Sequence, residues 1–367
     1  MVPASDLRLL CVAGEASGDR LLAPVVEHLV GDRGVYCQGA GGTHCASAGL
    51  DVRVDVSELS AHGLVEALPA LPRILKAYGT LKERLRHVDA VLLVDAPELN
   101  IRLLRAAGDL GLPVAWLAPP QCWAWRSSRL QEVSRADWLG SLFPFEVEYH
   151  RGQGISTTFV GHPLAESTPL TPPGTALALL PGSRVGTVRR LLPIMLEAGA
   201  ALLRRGRFSR LILGLAPTVD QKSIADLIGA STVEVEIVHD APAALRPAGA
   251  ALAGAGTVTL EAVLAGRPVV TLARLNALTA AVARRVVKTP HLALPNLILG
   301  RRAFPELFQE AVTVGAIVTG LEAIDRRAAF EAATEVRKRL TIEGPAFGAR
   351  VAEAVLAMGK RDLGSWL

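Results

Sequence analysis

Apolar and polar positions alternate along the chain in a pattern that predicts repeated strand and helix units. Apolar runs of about four to six residues, typical of buried strands, are separated by stretches with helical periodicity such as 21–30 and 72–85. This order is typical of a parallel sheet with helices on both faces. The predicted strands are 7–12, 35–38, 90–94, 113–117, 138–143 and 157–160 in the first half, and 177–180, 211–215, 233–238, 250–253 and 268–272 in the second.

A proline-rich stretch interrupts the alternation near the middle of the chain. Residues 163–174 read PLAESTPLTPPG, and such a composition is typical of a linker. The fold class is therefore α/β, with two doubly wound Rossmann-like domains facing a cleft. The predicted bounds are a first domain over 1–165, a linker over 166–175, a second domain over 176–345 and a C-terminal helix over 346–367.

The composition is that of a globular protein. Half of the 367 residues are hydrophobic and 20% are charged, so both domains can bury a core. No apolar run reaches the roughly 18 residues that span a bilayer, and residues 1–7 lack the features of a signal peptide. We therefore expect a cytoplasmic protein. The four cysteines, at positions 11, 37, 45 and 122, have no C-x-x-C spacing, which argues against disulfides and a zinc site.

The charge balance narrows the class of partner. The chain has 39 Lys and Arg against 35 Asp and Glu, a formal charge of +4. This mild excess suits phosphorylated substrates or an anionic membrane surface. Aromatic residues make up only 4% of the chain and are not interleaved with basic residues, which argues against nucleic-acid binding.

Two loops that follow predicted strands of the first half contain candidate chemistry. In AGEASGD (13–19), glycines permit a tight turn, and Glu15, Ser17 and Asp19 are candidates for binding sugar hydroxyls. The alternative is that Ser17 or Asp19 caps the next helix. In DAPELN (95–100), Asp95 comes directly after a buried strand, a position that suits a general base. The alternative is a helix N-cap.

Aromatic residues and a histidine follow two further strands. The loop APPQCWAWR (118–126) contains Trp123 and Trp125 beside Arg126. These tryptophans must pack, either as a wall of the domain cleft or as core beneath the loop. His162 is predicted at the mouth of the cleft, as a catalytic group or as a hydrogen-bonded fixture of the hinge.

One turn of the second half has the features of a phosphate site. PGSR (181–184) lies between the apolar run 176–180 and a helix-like stretch. Backbone N–H groups, the helix dipole and the Arg184 guanidinium would all face this turn. The alternative is an ordinary strand-turn-helix with a solvated arginine.

A second turn in the same half strengthens that prediction. In GAGTVTLE (254–261), Gly256 permits close backbone approach and Thr257 can meet a phosphate, while the Glu261 carboxylate can accept hydrogen bonds from a ribose diol. By itself this is a common helix start. Together, the two turns predict a site for a nucleotide diphosphate.

An ordered set of motifs resembles the lipid-A-disaccharide synthase family. In chain order they are AGEASGD (13–19), DAPELN (95–100), PQCWAWR (120–126), FPFE (143–146), GHP (161–163), LLPGSR (179–184), GTVTLE (256–261), LPN (294–296) and PELFQ (305–309). The resemblance implies a two-domain, inverting GT-B glycosyltransferase that uses no metal or other cofactor. Such an enzyme joins UDP-2,3-diacylglucosamine to 2,3-diacylglucosamine 1-phosphate by a β-1,6 link and releases UDP. The resemblance also implies a peripheral position on the cytoplasmic face of the inner membrane, and a C-terminal helix that crosses back to the first domain.

The resemblance assigns roles residue by residue. The catalytic residues are Asp95, as base, with Glu15 and Ser17 on the acceptor-side loop. The UDP-binding residues are Ser183, Arg184, Gly256, Thr257, Glu261, Asn296 and Gln309. From their positions after the predicted strands, and not from the resemblance, the residues expected to line the cleft or contact the acceptor are Asp19, Trp123, Trp125, Arg126 and His162.

Two amphipathic stretches, 62–76 and 275–288, are candidates for membrane contact. Apolar surface ringed by cations can lie in a lipid headgroup layer. The alternative is a helix pair in the core or a homodimer interface. The cations concerned are Arg73, Lys76, Arg284, Arg285 and Lys288.

Three positions depart from the family pattern. Thr187 occupies a position where the family usually has glutamate, Ala255 one where serine is usual, and Pro119 one that is often serine. Each departure removes a polar group. They leave open a slow or non-catalytic paralogue that binds UDP or a lipid-linked sugar, and a GT-B transferase for another sugar nucleotide.

Overall fold

The computed structural model describes residues 7–59, 64–124, 127–276 and 289–363, and these form two compact α/β units. The first unit consists of Met1–Pro163 with Ile342–Leu367, and the second of Leu164–Thr341. Each is built on its own parallel sheet with its own apolar core. The predicted fold class, an α/β protein with two doubly wound sheets, is confirmed.

Both sheets reverse their strand order at the centre. The first sheet has the order β3-β2-β1-β4-β5-β6-β7, and the second β10-β9-β8-β11-β12-β13. The strands are β1 Arg8–Ala13, β2 Tyr36–Gly41, β3 Asp51–Asp55, β4 Ala90–Val94, β5 Val114–Leu117, β6 Trp138–Ser141, β7 Thr158–Phe159, β8 Ala176–Leu180, β9 Leu211–Gly214, β10 Val235–Val238, β11 Ala248–Gly254, β12 Val269–Ala273 and β13 Glu306–Phe308.

Helices connect these strands. They are α1 Ala16–Glu27, α2 Thr43–Ser47, α3 Val56–Leu59, α4 Leu64–Arg84, α5 Pro97–Gly108, α6 Leu130–Val133, α7 Pro144–Gly152, α8 Pro163–Ser167, α9 Val185–Arg204, α10 Ala225–Gly229, α11 Ala241–Leu245, α12 Thr257–Leu264, α13 Leu294–Leu299, α14 Val314–Glu322, α15 Arg326–Leu340 and α16 Phe347–Leu363. Single turns of 3-10 helix lie at Leu85–His87, Ser127–Arg129, Gln221–Ile224 and Gln309–Ala311, and a π-helical turn at His28–Asp32 extends α1.

The central strands form where the chain is apolar without interruption. All of β4 (AVLLV) and of β8 (ALALL) is buried, as expected of strands covered on both faces. Two edge strands were missed by the sequence prediction. β3 reads DVRVD, with only Val54 buried, and β13 has three half-buried residues, so neither has a continuous apolar run.

The proline-rich segment after the first unit is bound to the second unit. Arg337 of α15 donates to the carbonyl oxygens of Ala165 and, at 2.6 Å, of Thr168. Arg267, which is 1% exposed, donates to the carbonyl oxygen of Thr171 at 2.9 Å. Through these hydrogen bonds the segment is part of the second unit and does not form a separate linker.

The C-terminal helix α16 belongs to the first unit and packs on α1. A Cβ at Gly348 would lie 2.2 Å from the carbonyl oxygen of Pro24, so the helices touch through their backbones. Arg350 of α16 donates to the carbonyl oxygen of Val160 at 3.1 and 3.2 Å, and to that of Pro345. One guanidinium therefore joins the chain leaving this unit to the chain that re-enters it.

Candidate active site

Each sheet has one point where the strand order reverses, between β1 and β4 in the first unit and between β8 and β11 in the second. Loops at the carboxyl ends of such neighbouring strands diverge to opposite faces of the sheet and leave a crevice, where doubly wound proteins bind ligands. The sequence candidates in AGEASGD, DAPELN, PGSR and GTVTLE follow these four strands.

In the first unit, the loops after β1 and β4 are in direct contact. A Cβ at Gly14 would lie 2.2 Å from the Cβ of Ala96, so only glycine fits at position 14. This contact brings the loop of Glu15 and Ser17, both exposed, next to the loop of Asp95. The catalytic candidates therefore share one crevice.

Asp95 lies on a strained turn. Its φ is +50° and that of Ala96 is +40°, in the left-handed region that residues with a Cβ rarely adopt. Such residues cost of order 1–3 kcal/mol each and cluster at functional sites. The carbonyl oxygen of Asp95 accepts hydrogen bonds from Asn100 Nδ2 at 2.8 Å and from Trp116 Nε1 at 3.2 Å.

Asp19 has a different place from the other candidates of its loop. It is 3% exposed, and its carboxylate accepts from the backbone N–H groups of Gly42, His44 and Cys45 at 2.6–3.1 Å. Burial opposes ionisation of Asp19, but these hydrogen bonds and one from the Cys45 thiol outweigh it and lower its pKa. The carboxylate therefore caps the start of α2 and not that of α1.

An aromatic cluster lies at the carboxyl ends of β6 and β7. The Trp123 ring meets Phe145 edge-on at 4.8 Å between centroids, Phe145 stacks on Phe143 at 5.4 Å, and Phe143 lies 5.4 Å from the ring of His162. Trp123 is half-buried, so it is neither wholly core nor wholly exposed. Trp125 and Arg126 lie outside the described residues.

A buried carboxyl in this cluster was missed by the sequence prediction. Glu146, 4% exposed, accepts a hydrogen bond from Trp123 Nε1 at 3.1 Å. Burial raises the pKa of Glu146 to about 7 and lowers the pKa of His162 to about 4, because each group is deprived of solvent for its charged form. The signal in the sequence was a glutamate just after the apolar FPF of FPFE.

In the second unit, the loops after β8 and β11 are also in contact. A Cβ at Gly254 would lie 2.6 Å from the carbonyl oxygen of Pro181. The turn itself is shaped by Gly182, whose φ is +114°, and Ser183 and Arg184 are exposed. Arg184 is the N-cap residue of the long helix α9. Arg184 and the N-terminus of α9 therefore lie at this crevice.

Across the switch point, α12 begins after a glycine with unusual geometry. Gly256 has a φ of +148° and is the N-cap residue of α12. Thr257 is exposed and Glu261 is half-buried one turn into the helix. The candidates on α9 and α12 thus lie at two neighbouring helix starts, which suits an anionic ligand.

Two further candidates hold the backbone of the second unit. Asn296 is fully buried, and its side chain is used up by Phe304, Ala303 and Glu306 at 2.8–3.0 Å. It positions the chain before β13. Gln309 follows β13 with a φ of +53° and exchanges two hydrogen bonds with the backbone of Leu275.

The membrane candidates are only partly described. Arg73 and Lys76 are exposed on α4 beside Leu75, which is 47% exposed. Arg284, Arg285 and Lys288 lie outside the described residues. Within the part of the chain that the structure describes, no helix has the length and apolar character to cross a membrane, and no three His, Cys, Asp or Glu side chains are grouped to hold a metal ion.

The architecture of two doubly wound units matches known glycosyltransferase structures. MurG of Acinetobacter baumannii superimposes with a TM-score of 0.57 over 96% of this chain and 99% of its own, at 15% identity. The calicheamicin glycosyltransferase CalG4 gives 0.58 over 97% and 98%, at 16% identity. The chain therefore has the GT-B fold.

Sequence comparison identifies the family. The family model described as lipid-A-disaccharide synthetase matches residues 9–344. The lipid-A-disaccharide synthase of Myxococcus xanthus is 36% identical, over 96% of this chain and 97% of its own length. That of Anaeromyxobacter dehalogenans is 37% identical with the same coverage. The chain belongs to the lipid-A-disaccharide synthase family.

Proposed function

We propose that the chain transfers 2,3-diacylglucosamine from UDP to the 6-hydroxyl of 2,3-diacylglucosamine 1-phosphate, with inversion, giving a β-1,6-linked disaccharide phosphate and UDP. Membership of the family supports this reaction. The observation that carries it for this chain is the strained turn of Asp95, which lies at the switch point of the first sheet against the loop of Glu15 and Ser17.

The residues of the first unit would activate the acceptor. In an inverting transfer, the acceptor oxygen attacks C1 as the bond from C1 to the UDP oxygen breaks, and the hydroxyl proton must go to a base. We assign that proton to the carboxylate of Asp95. The exposed side chains of Glu15 and Ser17 would bind acceptor hydroxyls and hold the 6-hydroxyl in line.

The residues of the second unit would bind UDP and stabilise it as it leaves. Negative charge that develops on the diphosphate would be met by Arg184, by N–H groups of the turn and by the N-termini of α9 and α12. Removal of one such donor typically costs about 3–4 kcal/mol. Glu261 would accept from the ribose hydroxyls, and Gln309 would keep the chain beyond β12 in place.

The acyl chains of the proposed acceptor and donor imply a membrane surface as a partner. The exposed Arg73, Leu75 and Lys76 of α4 support a peripheral position there. Vesicles that contain phosphatidylglycerol should retain the wild-type protein, and Arg73→Glu with Lys76→Glu should weaken retention at least tenfold. Unchanged retention would contradict a role for α4. Sedimentation of the protein without vesicles separately tests the homodimer that residues 275–288 leave open.

The central experiment is turnover by the purified protein. Incubation with UDP-2,3-diacylglucosamine and 2,3-diacylglucosamine 1-phosphate, with a metal chelator present, should release UDP and a disaccharide 1-phosphate detectable by mass spectrometry. Asp95→Asn should abolish release while UDP still raises the melting temperature. Thermal protection by UDP without release by the wild type would instead identify a binding-only paralogue. Release only with another sugar nucleotide would identify a different transferase.

A further inference from the structure

We propose that Asn100 and Trp116 are positioning residues that hold the carboxylate of Asp95 towards the acceptor by fixing its carbonyl oxygen on the other side of the turn. This inference rests on the proposed role of Asp95 as the base. Neither residue was singled out by its sequence, because each reads as an ordinary member of a helix or strand.

The backbone of Asp95 is fixed at both of its polar groups. Its N–H donates to the carbonyl oxygen of Leu117 at 3.1 Å, which extends the pairing of β4 with β5 by one residue. Its carbonyl oxygen accepts from Asn100 Nδ2 at 2.8 Å and Trp116 Nε1 at 3.2 Å. The peptide groups on both sides of the Asp95 Cα are therefore held, and the Cα–Cβ direction with them.

The two donors are suited to holding a turn because both side chains are fully buried. Asn100 and Trp116 are both 0% exposed. Asn100 Nδ2 also donates to the carbonyl oxygen of Val94 at 3.1 Å, so one amide joins the last residue of β4 to the turn. Trp116 lies on the neighbouring strand β5, opposite Leu93.

The orientation of the Asn100 side-chain amide is fixed by the groups around it. Asn100 Oδ1 is buried and has no hydrogen-bond partner within the described residues, so the hydrogen bonds of this side chain are those that Nδ2 donates to the carbonyl oxygens of Val94 and Asp95. Reversing the amide would point Oδ1 at two carbonyl oxygens, so the orientation of the side chain is determined. The left-handed turn that this amide holds, at Asp95 and Ala96, is of a kind that clusters at functional sites.

Asn100→Leu and Trp116→Phe remove the N–H donors and put an apolar side chain in their place. We expect each variant to lower kcat roughly 100-fold, because a displacement of about 1 Å at a catalytic group has that effect. KM for both substrates and thermal protection by UDP should change less than twofold. Leu81→Ala, a truncation of the same core on α4, is the control for a general loss of stability.

Ala96→Gly separates positioning from folding. Glycine adopts the left-handed region without steric cost, so the turn would need less support from the two donors. The double variants Asn100→Leu/Ala96→Gly and Trp116→Phe/Ala96→Gly should regain at least tenfold in kcat. Leu81→Ala/Ala96→Gly should regain nothing. If Asn100→Leu does not fold, as judged by circular dichroism, Trp116→Phe gives the same comparison.

The outcomes distinguish this inference from the proposed function. Turnover by Asp95→Asn would overturn the base, and the positioning role would fall with it. An inactive Asp95→Asn together with wild-type kcat in Asn100→Leu and Trp116→Phe would overturn the positioning role alone. A loss of kcat no greater than that of Leu81→Ala, without rescue by Ala96→Gly, would assign both residues to folding and also overturn it.

Discussion

The backbone of Gly14 lies against the methyl group of Ala96, so that a Cβ at position 14 would be only 2.2 Å from the Cβ of Ala96. Two loops from neighbouring strands are thus brought together by the absence of one side chain. The catalytic candidates of the first unit share a crevice because of this contact. It also permits the most direct test of the turn.

Gly14→Ala should displace the turn of Asp95 and lower kcat roughly 100-fold or more, since a small misplacement of a catalytic group is enough. Moving the methyl group instead, in Gly14→Ala/Ala96→Gly, should restore most of the activity. Gly108→Ala is the matched control, because a Cβ there meets nothing within 4 Å. The rate of UDP release is measured for all three variants. Normal kcat in Gly14→Ala would show that the two loops need not be in register.

Arg184→Ala should weaken UDP binding by about 1.5–3 kcal/mol, the range for hydrogen bonds to charged groups, which is roughly 10- to 100-fold in Kd. Arg189→Ala provides the control on the same helix, since Arg189 pairs with Asp226 at 2.7 Å instead. Isothermal titration with UDP measures both. Equal effects of the two substitutions would mean that only the overall charge of α9 matters.

Glu146 should make the protein less stable as the pH rises. Its pKa is raised to about 7 by burial, so between about pH 4.5 and 7 the folded state binds more protons than the unfolded state, and stability falls across this window. The loss is on the order of 3 kcal/mol. Measured by urea unfolding, the free energy of unfolding of the wild type minus that of Glu146→Gln should therefore fall by this amount from pH 4.5 to 7. A constant difference in free energy of unfolding between wild type and variant from pH 4.5 to 8 would rule it out.

His162 should act in the opposite direction. Burial lowers its pKa to about 4, so between pH 6.5 and 4 the unfolded state binds more protons, and stability falls as the pH falls. The loss is on the order of 3 kcal/mol at the lower limit. Because Glu146 has the opposite effect in an overlapping pH range, the quantity to compare is the free energy of unfolding of the wild type minus that of His162→Gln, again measured with urea. This difference should fall as the pH falls from 6.5 to 4. A difference that does not change with pH would assign the acid sensitivity to other groups.

Prediction from the sequence succeeded where a residue pattern has a single physical explanation. Continuous apolar runs gave strands such as β4 and β8, and the glycines of the loops indicated close backbone approach. The same reasoning missed β3, whose alternating DVRVD reflects an edge position. It also missed Glu146, because its burial depends on aromatic residues brought together from three separate segments.

Side-chain roles were harder to predict than side-chain locations. Asp19 follows β1 and Asn296 precedes β13, and the sequence predicted that both contact a ligand. In the structure, the side chain of each forms hydrogen bonds with backbone groups. A sequence motif does not distinguish a residue that touches a ligand from one that supports the loop around it. Asn100 is the opposite case. Nothing in the sequence was a reason to select it, and its proposed role depends on a hydrogen bond to the carbonyl oxygen of Asp95.

The arginines at the two chain crossings bear on whether one unit can be exchanged for another. Arg337 ties the start of the second unit, at Ala165 and Thr168, to the helix that ends it, and Arg350 does the same for Val160 and Pro345 in the first unit. The second unit is thus an inserted domain whose two ends are side by side, as in insertions that folds tolerate. A homologous unit spliced between Pro163 and Ile342 should therefore be accepted without redesign of its host.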